Sequence, residues 1–419
     1  MIKNSWQIRP LGELTDNYDY SRIPVKGVER RAGRYPYYGA SGIIDFIDEY
    51  IFEGEYLLVA EDGENLKTRK TPIAFLANGK FWVNNHAHII RGKYQIADTK
   101  FLMYSLINSD ISGFLSGSTL PKLTQDNLKR IPILAPPLEE QRAIARILGT
   151  LDNKIELNRR MNETLEAIAH AIFKSWFVDF DPVRAKAEGR EPAGMDAETA
   201  ALFPDDFEET ELGMVPKGWE AKLLGQTVCY INRGIQPKYI DDGGLKVINQ
   251  KCIRNHQVDW TKARRHDPNF KPINDGRELQ KGDILINSTG VGTLGRVAQI
   301  LCLHEKVIVD SHVTIIRADS KIITWNVLGS MLIAQEAEIA DLGEGTTGQT
   351  ELSRERLKLL RVLVPSLDAQ KMFDKATMPL RNLIQSNEMQ NHALSEIRNS
   401  LLPKLLSGEV PAKVAGECL

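Results

Sequence analysis

The sequence has few cysteines, no long apolar run and none of the short motifs that mark common enzyme classes. Its four cysteines fall at no metal-binding or disulfide spacing, which is typical of a reducing compartment; they are Cys229, Cys252, Cys302 and Cys418. No run approaches the ~18 apolar residues of a membrane helix, and the opening MIKNSWQIRP lacks the apolar stretch of a signal peptide. A Walker A sequence, H-E-x-x-H and G-x-S-x-G are all missing. We therefore expect a cytoplasmic protein that does not enter a membrane.

An excess of basic charge is also missing. The chain has 53 Lys and Arg against 55 Asp and Glu, so its net charge is −2. Seven of the acidic residues lie in 196–211, which holds no basic residue; elsewhere basic residues outnumber acidic ones by 53 to 48. A globally basic nucleic-acid binder is not indicated, and any surface for a polyanion has to be local.

The chain contains two copies of one unit. An offset of 229 aligns 123–177 with 352–406 without a gap, and the identities include Leu123/Leu352, Pro136/Pro365 and Gln141/Gln370. HAHIIR at 86–91 matches HVTIIR at 312–317 at an offset of 226, and Trp6 matches Trp219 at 213. This period is far too long for a solenoid. The sequence therefore predicts a duplicated unit, with about 16 extra residues in the second globular part.

Each copy is predicted to be an α+β domain followed by a long helix. Short β-type stretches such as YLLVA and DILIN alternate with Gly, Pro and Asn turns, and helices are expected at 99–108 and 325–342. The predicted boundaries are globular parts at 1–136 and 217–365, helices at 137–178 and 366–408, a proline- and acid-rich linker at 179–216, and a tail at 409–419.

The two helices share a heptad pattern of apolar residues, which is typical of a coiled coil. The pattern is interrupted at the same place in both copies, by Asn158 and Asn162 in the first and by Asn387 and Asn391 in the second. Buried asparagines penalise every register that places an amide against leucine. An antiparallel pairing matches Asn158 with Asn391 and Asn162 with Asn387, but a parallel pairing also matches the asparagines. Packing within separate domains is the simpler alternative, and Pro379 is a potential kink.

The segment INSTGVGTLGR at 286–296 contains G-x-G-x-x-G, the spacing of a dinucleotide-binding turn. Such a turn needs a following helix, whereas RVAQI here leads into a second β-type run. We favour a hairpin whose glycines permit positive φ. A cofactor-dependent methyltransferase or dehydrogenase that uses Gly290–Gly295 is the alternative function. His86-x-His88 could hold a metal, but its counterpart is His312-x-Thr314, which favours a structural histidine.

Basic residues near aromatic residues and turns are candidates for DNA contact, although a solvated surface is the default interpretation. The candidates are Arg30, Arg34, Tyr37, Lys67, Arg69, Ser118, Lys122, Arg264, Arg265, Ser288, Thr289, Arg296 and Thr347. Ser118 and Thr347 belong to SGSTLPKL and GTTGQTEL, two turns that match between the copies.

The whole chain resembles the specificity (S) subunit of type I restriction–modification systems. The resemblance is carried by PYYGASGIIDFID at 36–48, STLPKLTQDNLKRIPILAPPLEEQRAIARIL at 118–148, AIFKSWFVDFDPV at 171–183, LGMVPKGW at 212–219 and LLPKLLSGEV at 401–410. It implies two target-recognition domains separated by an antiparallel two-helix coiled coil that sets the gap between two DNA half-sites.

The resemblance also implies partners and excludes a catalytic centre in this chain. Two methylase (M) subunits would dock on it and double-stranded DNA would be its target, and whether motor/nuclease (R) subunits also join is left open. No cofactor is expected in this chain, because S-adenosylmethionine, ATP and Mg would be held by partner subunits. A coiled-coil scaffold that never touches DNA is a third hypothesis.

Overall fold

In the computed structural model, residues 6–117, 120–273, 276–345 and 350–416 are described. They form two compact units that do not follow a simple division of the chain. The first unit consists of residues 1–158 and 389–419, and the second consists of residues 159–388. The first unit is therefore assembled from both ends of the polypeptide, whereas the second is continuous.

The first unit is built on a six-stranded sheet with the order β2-β7-β5-β6-β3-β4 and on a separate antiparallel pair, β1 and β8. Its strands are β1 Gln7–Pro10, β2 Thr15–Asn17, β3 Ala32–Gly39, β4 Gly42–Ile47, β5 Phe52–Ala60, β6 Ala74–Val83, β7 Ala87–Gly92 and β8 Pro132–Ala135. Its short helices are α1 Leu11–Leu14, α2 Asn65–Thr68, α3 Thr99–Asn108 and α4 Gln125–Arg130. All strand pairs in the large sheet are antiparallel except β3 with β6.

The second unit repeats this plan with the sheet β12-β21-β18-β19 and the pair β11 and β22. Its strands are β9 Phe207–Thr210, β10 Gly213–Pro216, β11 Glu220–Leu223, β12 Val228–Arg233, β13 Tyr239–Ile240, β14 Leu245–Ile248, β15 Ile253–Arg254, β16 Gln257–Val258, β17 Arg264–His266, β18 Ile284–Asn287, β19 Val297–Gln299, β20 Val307–Val309, β21 Val313–Ala318 and β22 Arg361–Val364. The helices of the chain after α4 are α5 Leu138–Phe177, α6 Asp181–Ala187, α7 Ala197–Ala201, α8 Trp325–Ala334, α9 Glu336–Asp341, α10 Arg354–Leu359, α11 Leu367–Leu406 and α12 Ala412–Gly416. A second sheet, β13-β17-β14-β20, is specific to this unit.

The register of the sheets shows which residues of the two copies are equivalent. Asn17 pairs with Ile90 in the first unit, and Ile231 pairs with Ile316 in the second. Ile90 and Ile316 are 226 residues apart, the offset that relates the two histidine segments in the sequence. The duplication therefore extends through the globular parts, where the sequence match is weakest.

The glutamine of the repeated P-x-L-x-x-Q motif is buried and has the same hydrogen bonds in both copies. Gln141 accepts a bond of 3.0 Å from the backbone N–H of Asp98 and donates to the carbonyl oxygens of Ile96 and Pro136. Gln370 accepts a bond of 2.7 Å from Thr324 N–H and donates to Ile322 and Pro365. Because one amide satisfies three buried backbone groups, the motif fixes each long helix to its own globular part.

Both long helices contain 40 residues, and α11 continues without interruption through Pro379. Within the first unit, Nη1 of Arg398 lies 2.8 Å from Oδ1 of Asp152, and Asn158 Nδ2 donates to Oδ1 of Asn391 at 2.9 Å. Position 152 on α5 thus faces position 398 on α11, and 158 faces 391, so the helices run antiparallel. The alternative of a parallel pairing is thereby excluded.

Residues 179–216, which the sequence predicts to be a linker, contain α6, α7 and the antiparallel pair of β9 and β10. Val183 and Phe203 are buried in the core of the second unit. There the ring centroids of Phe203 and Trp219 lie 6.2 Å apart. The segment therefore packs as part of this unit, since its apolar residues supply core side chains despite the acidic composition around them. The same core receives Phe173 and Phe177 from the end of α5.

Candidate nucleic-acid interface

In the first unit, three segments of loop meet beside an exposed histidine. The first loop site is defined as residues 61–63, residues 84–86 and the described part of the third segment, 116–117 and 120–123. The backbone N–H of Glu61 donates to the carbonyl oxygen of His86 at 2.9 Å, and the N–H of Leu123 donates to the carbonyl oxygen of Glu61 at 2.8 Å. Ser116 and Lys122 exchange a pair of backbone hydrogen bonds of 2.8 Å. These bonds hold the loops on the end of the sheet instead of leaving them free.

The second unit has the same backbone arrangement. The second loop site is defined as residues 288–290, 310–312, 344–345 and 350–352. The N–H of Ser288 donates to His312 O at 2.8 Å, and the N–H of Leu352 donates to Ser288 O at 2.8 Å. Glu344 and Glu351 exchange backbone bonds of 2.9 and 2.8 Å. Two loop sites with matching hydrogen bonds thus carry different side chains.

A partly buried network of charged side chains lies beneath the first loop site. Nη1 of Arg22 donates to Oε2 of Glu61 at 2.6 Å, and Nζ of Lys122 lies 3.2 Å from Oε1 of the same carboxylate. The imidazole of His88 lies between Oδ2 of Asp19, at 2.6 Å, and the carbonyl oxygen of Leu123, at 2.7 Å. Burial opposes ionisation of Asp19 and Glu61, but the bonds from His88 and Arg22 outweigh it and lower the pKa of both carboxyl groups.

The second loop site borders a groove of about 390 Å³ that contains three arginines. Nη2 of Arg233 donates to the carbonyl oxygen of Leu352 at 2.7 Å, and Nη1 contacts Glu351. Nη1 of Arg354 donates to Oδ1 of Asn232 at 2.7 Å, and Arg277 also lines the groove. Arg233 occupies the role that His88 has in the first unit, because each donates to the carbonyl of the equivalent leucine.

Three of the predicted contact residues lie at the loop sites: Lys122, Thr289 and Ser288, whose side chain is buried. Lys122 is half-exposed in the first, and Thr289 lies in the second, where its hydroxyl is 2.7 Å from Nδ1 of His312. Ser118 and Thr347 lie outside the described residues. Whether any of these residues other than Ser288 contacts DNA stays a prediction.

Two of the predictions have to be corrected, because the side chains are buried. Tyr37 is 1% exposed and its hydroxyl oxygen accepts a hydrogen bond of 3.1 Å from the N–H of Val25. Ser288 is 0% exposed, and its hydroxyl lies 2.6 Å from that of Thr314. Both side chains stabilise the protein interior and are not presented to a ligand.

The remaining candidates are divided between internal contacts and the surface. Three guanidinium groups are engaged by carbonyl oxygens of their own unit: Arg30 by Val25, Arg69 by Ile107 and Ser109, and Arg296 by Gly292 and Ile253. Arg264 lies over the ring of Tyr239 at 3.5 Å, and Arg265 pairs with Glu305 at 2.7 Å. Arg34 and Lys67 are exposed. The structure does not bring these residues together.

Sequence reasoning did not select Arg22 and Arg233, and it considered His86 and His312 as metal-binding or structural residues, not as parts of a loop site. The repeated segments HAHIIR and HVTIIR contained the signal for the histidines, since a duplicated polar residue at the start of a strand is placed identically in both copies. Arg22 and Arg233 had no such signal, because they do not occupy equivalent positions in the sequence.

The G-x-G-x-x-G segment lies in an antiparallel hairpin between β18 and β19, in which Ile286 pairs with Val297. Gly290, Gly292 and Gly295 all have positive φ, at 109°, 68° and 81°. The predicted hairpin is therefore confirmed, and the parallel βαβ unit that a dinucleotide requires does not form here. Within the described residues, no group of His, Cys, Asp and Glu side chains is arranged to hold a metal ion. No helix among those residues combines the length and apolarity needed to cross a membrane.

Comparison with known proteins shows which sequences and structures this chain resembles. Residues 3–167 match the type I restriction modification DNA specificity domain. The HindI type I restriction enzyme specificity subunit of Haemophilus influenzae is 28% identical over 405 residues, which cover 85% of this chain and 84% of the relative. The MjaIX specificity subunit of Methanocaldococcus jannaschii is 24% identical over 435 residues, which cover 98% and 94%.

A crystal structure of the type I restriction–modification S subunit from M. genitalium has the same fold. It aligns with a TM-score of 0.62 at 16% identity, and the alignment covers 96% of each chain. The fold thus consists of two similar α+β units and two long helices that pair antiparallel. Over most of its length the chain is therefore similar to type I restriction–modification specificity subunits.

Proposed function

We propose that this chain recognises a bipartite DNA target, and that each unit reads one half of it through its loop site. The observation that carries the proposal is the pair of loop sites with matching backbone bonds and different side chains. Such a pair supports one docking geometry for two different sequences, because backbone contacts position loops whereas side chains discriminate between bases. The paired asparagines of the helices support a fixed register, and hence one permitted gap between the half-targets.

In this proposal the chain has no catalytic role, and two methylase subunits carry out adenine methylation with S-adenosylmethionine. Motor/nuclease subunits that use ATP and Mg would join in a restriction complex. Two copies of one methylase require two equivalent docking surfaces. Ile168 and Ile397 support this requirement: they are equivalent in the repeat, and they are 43% and 42% exposed on α5 and α11. An exposed isoleucine at the equivalent position of each helix is what we expect if each of two identical methylase subunits buries one of them.

The function is tested by reconstituting the methylase subunits with and without this chain. Binding is measured by gel shift on a pool of randomised duplexes, and the bound DNA is sequenced. We expect a split sequence with a constant gap to be enriched only when the chain is present. Enrichment that does not depend on the chain would contradict the proposal.

The docking surfaces are tested by Ile168→Glu and Ile397→Glu. Each variant should lower the number of bound methylase subunits from two to one, as measured by light scattering of the complex. Leu157→Glu is a matched control, because Leu157 is 57% exposed on α5 but has no apolar counterpart at the equivalent Ser386. Two methylase subunits on both isoleucine variants would exclude these residues as the docking surface.

A further inference from the structure

His86 and His312 are held in place by the same set of interactions. The backbone N–H of His86 donates to Oδ1 of Asn84 at 2.8 Å, and that of His312 donates to Oδ1 of Asp310 at 2.9 Å. Each carbonyl oxygen accepts one of the bonds that define the loop site. The side chains of Asn84 and Asp310 are buried, at 7% and 3% exposure. The backbone of each histidine is therefore held by a hydrogen bond to a buried polar side chain.

The rings themselves are exposed but fixed. The side chain of His86 is 52% exposed, and its Nδ1 lies 2.8 Å from Oδ2 of Asp62. His312 is also exposed, and its Nδ1 lies 2.7 Å from the hydroxyl of Thr289. Nε2 of neither ring has a hydrogen-bond partner among the residues that the structure describes. Each loop site thus presents one oriented nitrogen with nothing in the described chain to satisfy it.

The partner of Nδ1 determines what Nε2 can offer. A carboxylate only accepts hydrogen bonds, so Asp62 keeps a proton on Nδ1 of His86, and Nε2 of the neutral ring is an acceptor. A hydroxyl both donates and accepts, so Thr289 leaves His312 free to carry its proton on Nε2. An acceptor matches the amino groups of adenine and cytosine in the major groove, and a donor matches N7 and O6 of guanine. The two sites differ at the atom that determines this preference.

We propose that His86 and His312 contact bases through Nε2, and that Asp62 and Thr289 help to give the two half-targets different sequences. This inference rests on the proposed function. A purely structural role for the rings is disfavoured, because the backbone N–H and carbonyl of each histidine already make the bonds that hold the loops. Removing the ring leaves those bonds in place.

The test uses the full chain reconstituted with its methylase subunits and a pool of randomised duplexes. His86→Ala should lower the affinity for the wild-type target about 5- to 10-fold and relax the sequence preference in one half only. His312→Ala should relax the other half. The matched control is His392→Ala, since His392 is 76% exposed on α11 and belongs to neither loop site. Thermal melting should be the same in all three variants.

Reciprocal substitution distinguishes the role of the Nδ1 partners. Asp62→Thr and Thr289→Asp should change the preferred base at the positions that the alanine variants relaxed, while the other positions stay as in the wild type. The inference is overturned if His86→Ala and His312→Ala select the wild-type target with affinity within about twofold, or if they weaken all sequences equally. Failure of the wild-type complex to select any sequence would instead contradict the proposed function.

Discussion

Nδ2 of Asn387 donates a hydrogen bond of 2.8 Å to Oδ1 of Asn162. Both side chains are buried, at 6% and 8% exposure, on α11 and α5 within the second unit. Asn158 makes the corresponding bonds in the first unit, to Gln390 at 2.8 Å and to Asn391 at 2.9 Å. These amides match in this register, because a slip that separates them would place an amide against an aliphatic side chain.

Replacing Asn158 and Asn162 together with leucine should remove this restriction. Asn387 would be left buried without its partner, which should lower the free energy of unfolding by about 1–3 kcal/mol in urea titrations. The gap between the methylated half-targets should also become variable in genome-wide mapping of modified adenines. As a control, leucine at all four asparagines should recover stability without restoring a single gap. A single gap in the double variant would show that the asparagines do not set the register.

Acid should destabilise the first unit through Asp19 and Glu61. Their folded pKa values lie below the ordinary 3.8 and 4.5, so their stabilisation is present above about pH 4.5 and is lost as the pH falls through the lowered values. Asp19→Asn should therefore lower the urea midpoint at pH 7 and flatten the decline at acid pH. An unchanged acid slope in the variant would exclude Asp19 as its source.

His88→Ala should be the more damaging of the two histidine substitutions in the first unit. It leaves the buried Asp19 carboxylate without its closest hydrogen-bond donor, which should cost about 1–3 kcal/mol in the free energy of unfolding. His86→Ala, two residues away and exposed, should cost less than about 0.5 kcal/mol. Equal losses measured by urea titration would mean that the buried pair contributes no more than the surface residue.

Asp152 joins three elements of the first unit, since it accepts hydrogen bonds from Tyr104 at 2.5 Å and Arg398 at 2.8 Å. Asp152→Asn should lower the free energy of unfolding by about 1–2 kcal/mol. The matched control is Glu139→Gln on the same helix, whose pair with Arg142 is exposed and should contribute less than about 0.5 kcal/mol. Similar losses in both variants would contradict a structural role for the shared carboxylate.

The arginine groove of the second unit should contribute to the salt dependence of DNA binding. Each of Arg277→Ala and Arg354→Ala should reduce the slope of log K against log salt by about 1, because one phosphate contact is lost. Arg190→Ala serves as the control, since Arg190 is exposed and paired with Glu188 away from the groove. If the slope of log K against log salt is unchanged from the wild type, the DNA phosphates do not contact this groove.

The helices of this protein were more predictable from sequence than its loops. The antiparallel pairing of Asn158 with Asn391 and of Asn162 with Asn387 was one of the two that the spacing allowed, and the structure has those pairs. The helix predicted at 99–108 is observed with the same bounds, whereas the one at 325–342 is divided at Gln335 into α8 and α9. Periodic patterns are read reliably because they repeat the same physical constraint over many residues.

The loop sites were harder, because residue type does not determine exposure in a loop. Tyr37 was selected as an aromatic beside arginines, yet its ring is covered by Arg30 and its hydroxyl is bonded inside the unit. Arg22 was not selected, although it bonds Glu61 across 39 positions of sequence. Such contacts depend on long-range backbone pairing, which composition and spacing do not encode.

The division of the chain also determines the order in which its parts can be completed during synthesis. Residues 159–388 leave the ribosome as an uninterrupted stretch, so the second unit can finish folding while translation continues. The first unit must wait for the final turns of α11, because Leu405 and Leu406 fill its core beside Trp6. The portion made earliest is thus the one finished last, and until then its core residues lack part of their packing partners.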